Sequence, residues 1–409
     1  MARASAEPRA GYGEAFRSRE FRALFIGQSI SIGGGSIAAV ALTVLVFQRT
    51  GSPFLSSLAF ALGFLPYVLG GMLSGIVDRV RPRALVNACD AASAAVVAVM
   101  AVPGIPVAVL LALLFGVGTL ASLAGGARAT LVRSTVPAGA YVPARSLMKI
   151  AAQTAQIGGN AAGGALVVAL GTSGAILANA TSFGVSFLLV RLVVADHANL
   201  AEAGRAGLLR DSLGGAREVF GNREVARLLA LGWVAAMFSV APEALAAPYV
   251  SDHHGSPALV GWWLAALPVG AVVGDVAGVR LLRPALQQRL VAPVAAAGFV
   301  PYLLFVLHPS VAVGVALLVV SGLFGMYSLG LDGRLRAATP DRLFARMMAL
   351  SSAGLMTLQG LGFALAGALG QGIGASDAIA VAGVCGLVAV AALGLRGQAR
   401  RPLDRELVT

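Results

Sequence analysis

Charge is scarce in this sequence. Asp, Glu, Lys and Arg together make up only 12% of 409 residues, while 58% are apolar. An ordinary soluble chain carries about a quarter charged residues, so water is excluded as the solvent of most of this surface. Lysine is all but missing, with Lys149 the one lysine among 30 basic residues. The two cysteines, Cys89 and Cys385, lie far apart inside apolar stretches, which excludes a disulfide framework and makes them small packing residues. Histidine is equally sparse, and the adjacent pair His253 and His254 with Asp252 lacks the spacing of a metal site. That segment reads as a solvated loop, and no metal is expected. Nucleotide-binding loops, paired catalytic carboxylates and nucleophile elbows are all absent, so neither an enzyme, a cofactor nor ATP-driven work is expected.

What the chain does have is apolar runs of about 19 to 26 residues, the length that crosses some 30 Å of hydrocarbon as a helix. Approximate spans are 22–47, 54–77, 84–102, 107–127, 150–169 and 174–194. A second set follows at 228–250, 257–279, 291–308, 310–331, 347–370 and 376–395, with His308-Pro309-Ser310 dividing the ninth from the tenth. No connection is long enough for a soluble domain. The expectation is an all-α membrane protein of twelve helices: a tail at 1–21, a six-helix bundle at 22–194, a linker at 195–227, a second bundle at 228–395 and a tail at 396–409. The first run is too long for a cleaved signal peptide and is expected to stay as an insertion signal.

The net charge of +12 might suggest nucleic acid, but basic residues that read a groove cluster on one soluble face. Here they fill alternate connections instead. Arg3 to Arg22 precede or open the first span, Arg79, Arg81 and Arg83 follow the second, and Arg128 to Lys149 follow the fourth. The series continues through 191–227, 280–289 and 334–346 to the tail, and Arg49 alone breaks it. The positive-inside rule then predicts a multi-pass protein of the cell membrane with both termini cytoplasmic. The linker mixes Leu208, Leu209, Leu213, Val219 and Phe220 with arginines, the pattern of an amphipathic helix lying on anionic headgroups.

One half of the chain is copied onto the other. Thr154, Gln156, Gly159, Gly164, Ala165 and Leu166 recur at a constant offset as Thr357, Gln359, Gly362, Gly367, Ala368 and Leu369. Arg81-Pro82 is echoed by Arg283-Pro284. Same-sense repeats of six helices predict two bundles related by an axis along the membrane normal, with a central cavity where they meet. Glycines on single helical faces predict close backbone packing: Gly71 with Gly75, Gly159 with Gly163 and Gly164, and Gly270 with Gly274 and Gly278.

Acids inside spans cost several kcal/mol and are usually functional. Asp275 and Asp332, near Arg280 and Arg334, read as ion-paired edge acids. Glu243 lies deep in the seventh span between Pro242 and Pro248, far in sequence from any basic residue, and is the first candidate to carry a proton. Asp90 is the second. Uncharged polar residues outline a cavity: Gln28 and Ser31 in the first span, then Gln153, Gln156, Asn160, Asn179, Tyr327 and Gln359. Each of these could equally be a helix-to-helix hydrogen bond. Few polar points in an apolar lining suit an amphiphilic small molecule rather than a sugar or phosphate.

GMLSGIVDRVRPR at 71–83 resembles the signature loop of the major facilitator superfamily, with Asp78 and Arg79 as its acidic-basic pair and Arg83 as its distal basic residue. Ser74 stands where that motif carries glycine. IGGNAAGGAL at 157–166 is similar to the helix-five motif of drug antiporters, with Asn160 in place of its proline. PEALAAPYV at 242–250 and TPDRLFARMMAL at 339–350 resemble the branch that includes macrolide and siderophore exporters. The resemblance implies twelve helices as six plus six, and a monomeric, proton-coupled antiporter that exports a drug-like molecule or siderophore, with multidrug efflux as its setting. Asp78, Arg79 and Arg83 would form a cytoplasmic latch. An importer or facilitator on the same fold remains the alternative, and a scaffold or sensor would call for a soluble module that the sequence lacks.

Overall fold

The computed structural model describes residues 12–69, 80–196 and 217–398. Among these residues the chain is helical with no strand. A short helix, Tyr12–Arg17, leads in. The spanning segments follow in order: α1 Arg19–Thr50, α2 Pro53–Phe64 with a 3-10 turn at Leu65–Leu69, α3 Pro82–Met100 and α4 Val107–Thr135. A long helical stretch, Tyr141–Val193, is two helices, α5 at 141–170 and α6 at 172–193, meeting at Gly171. In the second half α7 is Arg223–Ser239 with short pieces at Ala241–Ala244 and Ala246–Asp252, and α8 is Pro257–Leu281. Segment α9 comprises Val291–Ala297, Val300–Leu303 and a 3-10 turn at Leu304–Leu307. Segment α10 comprises Val311–Leu323, Phe324–Met326 and Tyr327–Ala338; α11 is Asp341–Ile373 and α12 is Ala375–Gln398.

Among the described residues nine helices are long and apolar enough to cross a membrane, and two shorter apolar ones stand at Pro53–Tyr67 and Val291–Leu307. Counted with the Tyr141–Val193 stretch as two, they make the twelve expected from the sequence. The fold is the all-α, six-plus-six arrangement.

Local chemistry sets the ends. Ser18 caps α1 by accepting from the Phe21 amide, and Gly51 ends it in the left-handed conformation, φ 63°, with its N–H on the Phe47 carbonyl. Asn222 caps α7 through the amides of Glu224 and Val225. Pro82 opens α3 at a position where its missing N–H costs nothing. His308 turns left-handed, φ 48°, between α9 and α10, where the His-Pro-Ser triplet divides the sequence. Two connections shrink to one residue. Gly171, at φ 70° and ψ 174°, joins α5 to α6, and Gly374, at φ 87° and ψ 159°, joins α11 to α12. This backbone region is open essentially only to glycine.

Several helices outrun the apolar segments that announce them. Segment α4 runs to Thr135 rather than 127, the stretch holding α5 begins at Tyr141 rather than 150, and α7 begins at Arg223 rather than 228. Hydropathy marks the hydrocarbon thickness, whereas backbone hydrogen bonds carry a helix on through polar residues. The sequence boundaries fell short there. The cores of the linker and both tails, 197–216, 1–11 and 399–409, lie outside the described residues.

The chain divides into two compact units. Unit 1 takes its residues from Met1–Gly51, Leu62–Arg205 and Ser256–Ala265, and unit 2 from Ser52–Ala61, Ala206–Gly255 and Ala266–Thr409. Each unit repeats one packing device. In unit 1 a Cβ at Gly159 of α5 would strike the Gly33 carbonyl oxygen of α1, and one at Gly164 would meet the backbone of Ala258. In unit 2 a Cβ at Gly362 of α11 would strike the Met237 carbonyl oxygen of α7, and one at Gly367 would strike Ser57. The duplicated glycines thus make duplicated close approaches. Gly163 packs on α1 near Val40, while Gly270, Gly274 and Gly278 press α8 onto α10 within unit 2. Gly71 and Gly75 lie outside the described residues.

The cores differ in texture. One end of unit 1 is closed by Phe21, Leu24, Val86, Leu131 and Val190, with Phe16 set edge-on to Phe25 at 5.1 Å. Unit 2 is tied by buried polar groups on carbonyls. The Tyr302 hydroxyl donates to Ser239 at 2.9 Å, Ser321 to Gly298 at 2.6 Å, Ser376 to Phe305 at 2.7 Å, and the Trp233 indole to Ser351 at 3.0 Å.

Candidate functional site

The acids singled out from the sequence occupy opposite environments. Asp90 of α3 is 2% exposed and lies at the centre of a closed polar triangle. Arg128 of α4 gives one terminal nitrogen to both carboxylate oxygens, at 2.6 and 2.7 Å. Ser186 of α6 donates to the same carboxylate at 2.7 Å and accepts from Arg128 at 3.1 Å. The fourth wall is α1, where Gly27 lies against the Ser186 hydroxyl. A charged pair embedded this way is paired and hydrogen-bonded, the condition under which charge persists inside a bundle. The partner is not Arg83, the basic residue nearest in sequence. Arg83 instead donates from its Nη2 to the Arg191 carbonyl at 2.6 Å.

Glu243 stands alone by comparison. It belongs to the short piece Ala241–Ala244, after α7 breaks at Val240, with Pro242 at its start. Among the described residues its carboxylate makes no hydrogen bond and no ion pair; it is half-buried, and the Tyr302 hydroxyl lies close enough to feel its charge. Beside the break, the Tyr302 hydroxyl of α9 satisfies the Ser239 carbonyl that the interruption would otherwise orphan.

The proposed cavity residues divide. Asn160 is spent on packing, its amide donating to the Leu264 carbonyl at 3.1 Å within unit 1. Asn179 accepts from Ser182 at 3.2 Å, facing Gly34 of α1. Gln28 and Gln359 are half-buried, Gln153 and Gln156 are exposed, and Tyr327 is half-buried where the last helical piece of α10 begins. Gln28, Gln156 and Gln359 make no hydrogen bond among the described residues, which leaves their amides free for a ligand. Asp78 and Arg79, the core of the expected latch, lie outside the described residues.

At the helix ends, ion pairs are exposed: Arg81 with Asp196 at 2.6 Å, Arg334 with Glu224 at 2.8 Å, and Arg342 with Glu218. Arg334 therefore has a partner other than the Asp332 beside it in sequence. His253 stacks on Tyr249 at 4.5 Å with Nδ1 at the Tyr249 carbonyl, while His254 turns left-handed, φ 53°. Burial pushes the adjacent Asp252 carboxyl up, and the charge of His253 opposes it. Among the described residues no cluster of His, Cys, Asp and Glu could hold a metal.

Arg128, Ser186 and Tyr302 were missed in the sequence. Arg128 sits one residue past an apolar run and reads as a topology-setting charge; its helix continues about two turns farther, which places it inside the bundle.

Comparison with solved structures finds the same fold. A bacterial homolog to the human lysosomal transporter Spinster, inward-facing and unoccupied, matches with a TM-score of 0.70 at 13% identity, covering 93% of this chain and 96% of that one. The POT family transporter PepTSo matches at 0.73 and 10% identity over 93% and 98%, and the nucleoside transporter NupG at 0.71 and 11% over 91% and 98%. No curated protein matches in sequence. The family model described as transmembrane secretion effector matches residues 13–406, nearly the whole chain. The chain belongs to that family, and is a multi-pass membrane transporter of the major facilitator type.

Proposed function

We propose that the protein is a secondary active exporter of a small amphiphilic or hydrophobic molecule, such as a drug-like natural product or siderophore, working by proton antiport with alternating access. The carrying observation is the contrast between its acids. A carboxylate that cycles a proton must bind and release it as its surroundings change, and Glu243 can do so without first breaking an ion pair. Its position in an interrupted helix gives it a neighbourhood able to rearrange. The family description as a secretion effector supports outward movement. The alternation of basic connections supports both termini in the cytoplasm of a cell-membrane protein, which acts as a monomer. In this reading Gln28 and Gln156 of unit 1 offer polar points to the cargo, and Gln359 does the same within unit 2.

A growth-inhibition screen in an efflux-deficient host supplies the cargo. Proteoliposomes with an imposed proton gradient then test the coupling. Glu243→Gln should lower gradient-driven accumulation at least tenfold while downhill exchange persists; accumulation at the wild-type level removes Glu243 from the coupling and turns attention to Asp90. The second reading, an importer or facilitator, draws on the likeness to proteins named as peptide and nucleoside transporters. Direction of flux in oriented vesicles separates the two. Orientation is checked with a thiol reagent that cannot cross the membrane, which should reach a cysteine placed at 253 from outside and one at 404 only from inside.

A further inference from the structure

One stripe of α3 carries three polar side chains through an apolar bundle. Successive helical residues turn by about 100° and rise about 1.5 Å, so Arg83, Asn87 and Asp90 fall within about 60° of one another and climb about 10 Å. They run inward from the end of unit 1 that bears Arg81 and Arg191. The outermost, Arg83, is anchored by its Nη2 to the Arg191 carbonyl of α6. The innermost, Asp90, is held by Ser186 of α6 and Arg128 of α4. Asn87 lies between them, 8% exposed.

Two atoms on this stripe are buried without a hydrogen-bonding partner among the described residues: Nε of Arg83, a donor, and Oδ1 of Asn87, an acceptor. Such an orphan costs about 1–3 kcal/mol, and native interiors meet it with ordered water, which needs two or more polar partners. A donor one helical turn outside an acceptor supplies them. The surrounding Leu85 and Val86 belong to the apolar core and offer nothing polar in exchange. Ordinary packing therefore does not account for an asparagine at this position.

We infer that Arg83 and Asn87 hold a file of water that connects Asp90 to the arginine-bearing end of unit 1, giving this carboxylate its own route to protons apart from any path taken by cargo. In the proposed orientation that end is cytoplasmic. The groups that face Asp90 are the Arg128 guanidinium, the Ser186 hydroxyl, the neighbouring Cys89 thiol and, outward along the stripe, Arg83, with Tyr67 near enough to Arg128 for its charge to act there. A proton delivered to Asp90 cancels the charge that Arg128 answers, and so loosens the contact that joins α3, α4 and α6. The inference stands on this geometry and does not require the export reading.

The test follows Asp90 by infrared spectroscopy in the full-length reconstituted protein without cargo, with Asp90→Asn as the spectral blank, after a pH jump. In Asn87→Leu, protonation of Asp90 should slow at least tenfold while the unfolding temperature holds or rises, because an orphaned acceptor has been removed. Asn87→Ser, which keeps a hydroxyl for water, should recover most of the rate. Wild-type kinetics in Asn87→Leu overturn the inference. Should that variant not fold, magnetisation transfer from water to the Asn87 amide in the wild-type protein decides: rapid transfer supports the file, and none overturns it. Transport that proves independent of protons would sink the export reading and leave these readouts as they stand.

Discussion

Asp90 and Glu243 are both acids in a membrane bundle, yet one is clamped and the other makes no hydrogen bond or ion pair among the described residues. The difference follows from the helices that carry them. Segments α1, α3, α4 and α6 of the first half are continuous, so Asp90 of α3, Arg128 of α4 and Ser186 of α6 project from rigid rods at fixed levels and can close a triangle against α1. The counterparts of the first three, α7, α9 and α10, are interrupted, with Pro242, Pro248, Pro293 and Pro301 at or near the breaks. Backbone groups freed by those breaks are met by Tyr302 and Ser321, whose hydroxyls donate to the Ser239 and Gly298 carbonyls. At these three positions of the repeat the copies have diverged into rigid helices in the first half and jointed ones in the second.

Removing one partner of the clamped acid should cost the most. Arg128→Leu leaves a buried carboxylate uncompensated and should lower unfolding free energy by about 3–5 kcal/mol, measured by denaturation in detergent, with Asp90→Leu in the same chain restoring most of it. Glu243→Gln should change stability by less than about 1 kcal/mol, since no hydrogen bond or ion pair is lost. Equal losses from Arg128→Leu and Glu243→Gln would erase the distinction. Next come the duplicated glycines: Gly159→Val and Gly362→Val each force a side chain onto a carbonyl and should cost about 1–3 kcal/mol apiece. A much smaller loss at Gly362 would show that the jointed helices absorb strain that the rigid ones cannot. Asn160→Ala removes one hydrogen bond to Leu264 and should cost about 1 kcal/mol. Smallest is Arg334→Ala, whose exposed pair with Glu224 is worth under about 1 kcal/mol and fades as salt is raised.

The fold was legible because hydrocarbon imposes length and composition on every span, and because duplication left matched residues at a constant offset. The breaks in α7 and α9 were not read: hydropathy gives 228–250 and 291–308 as unbroken spans, with Pro242 and Pro248 marking only the flanks of Glu243. Nor was the Asp90 partner legible. Arg128 lies on another helix, and contact between helices depends on rotation about two axes, which no linear spacing records. Asn160 and Asn179 illustrate the same limit: polarity in a span announces a hydrogen bond, whereas the choice between a carbonyl and a cargo is made by the neighbouring helix. The latch at Asp78 and Arg79 remains an expectation of the sequence.

The one-residue junctions at Gly171 and Gly374 bear on how the protein is made. A helix that emerges from the ribosome ordinarily enters the bilayer followed by a polar connection, which must be dragged across. Neither α5–α6 nor α11–α12 has one to drag. Each pair can enter only as a hairpin, both arms together, with glycine at the leading tip. Exchange for any L-residue with a side chain at either tip would be felt first during insertion, as chains that never reach the membrane, before any loss appears in the finished transporter.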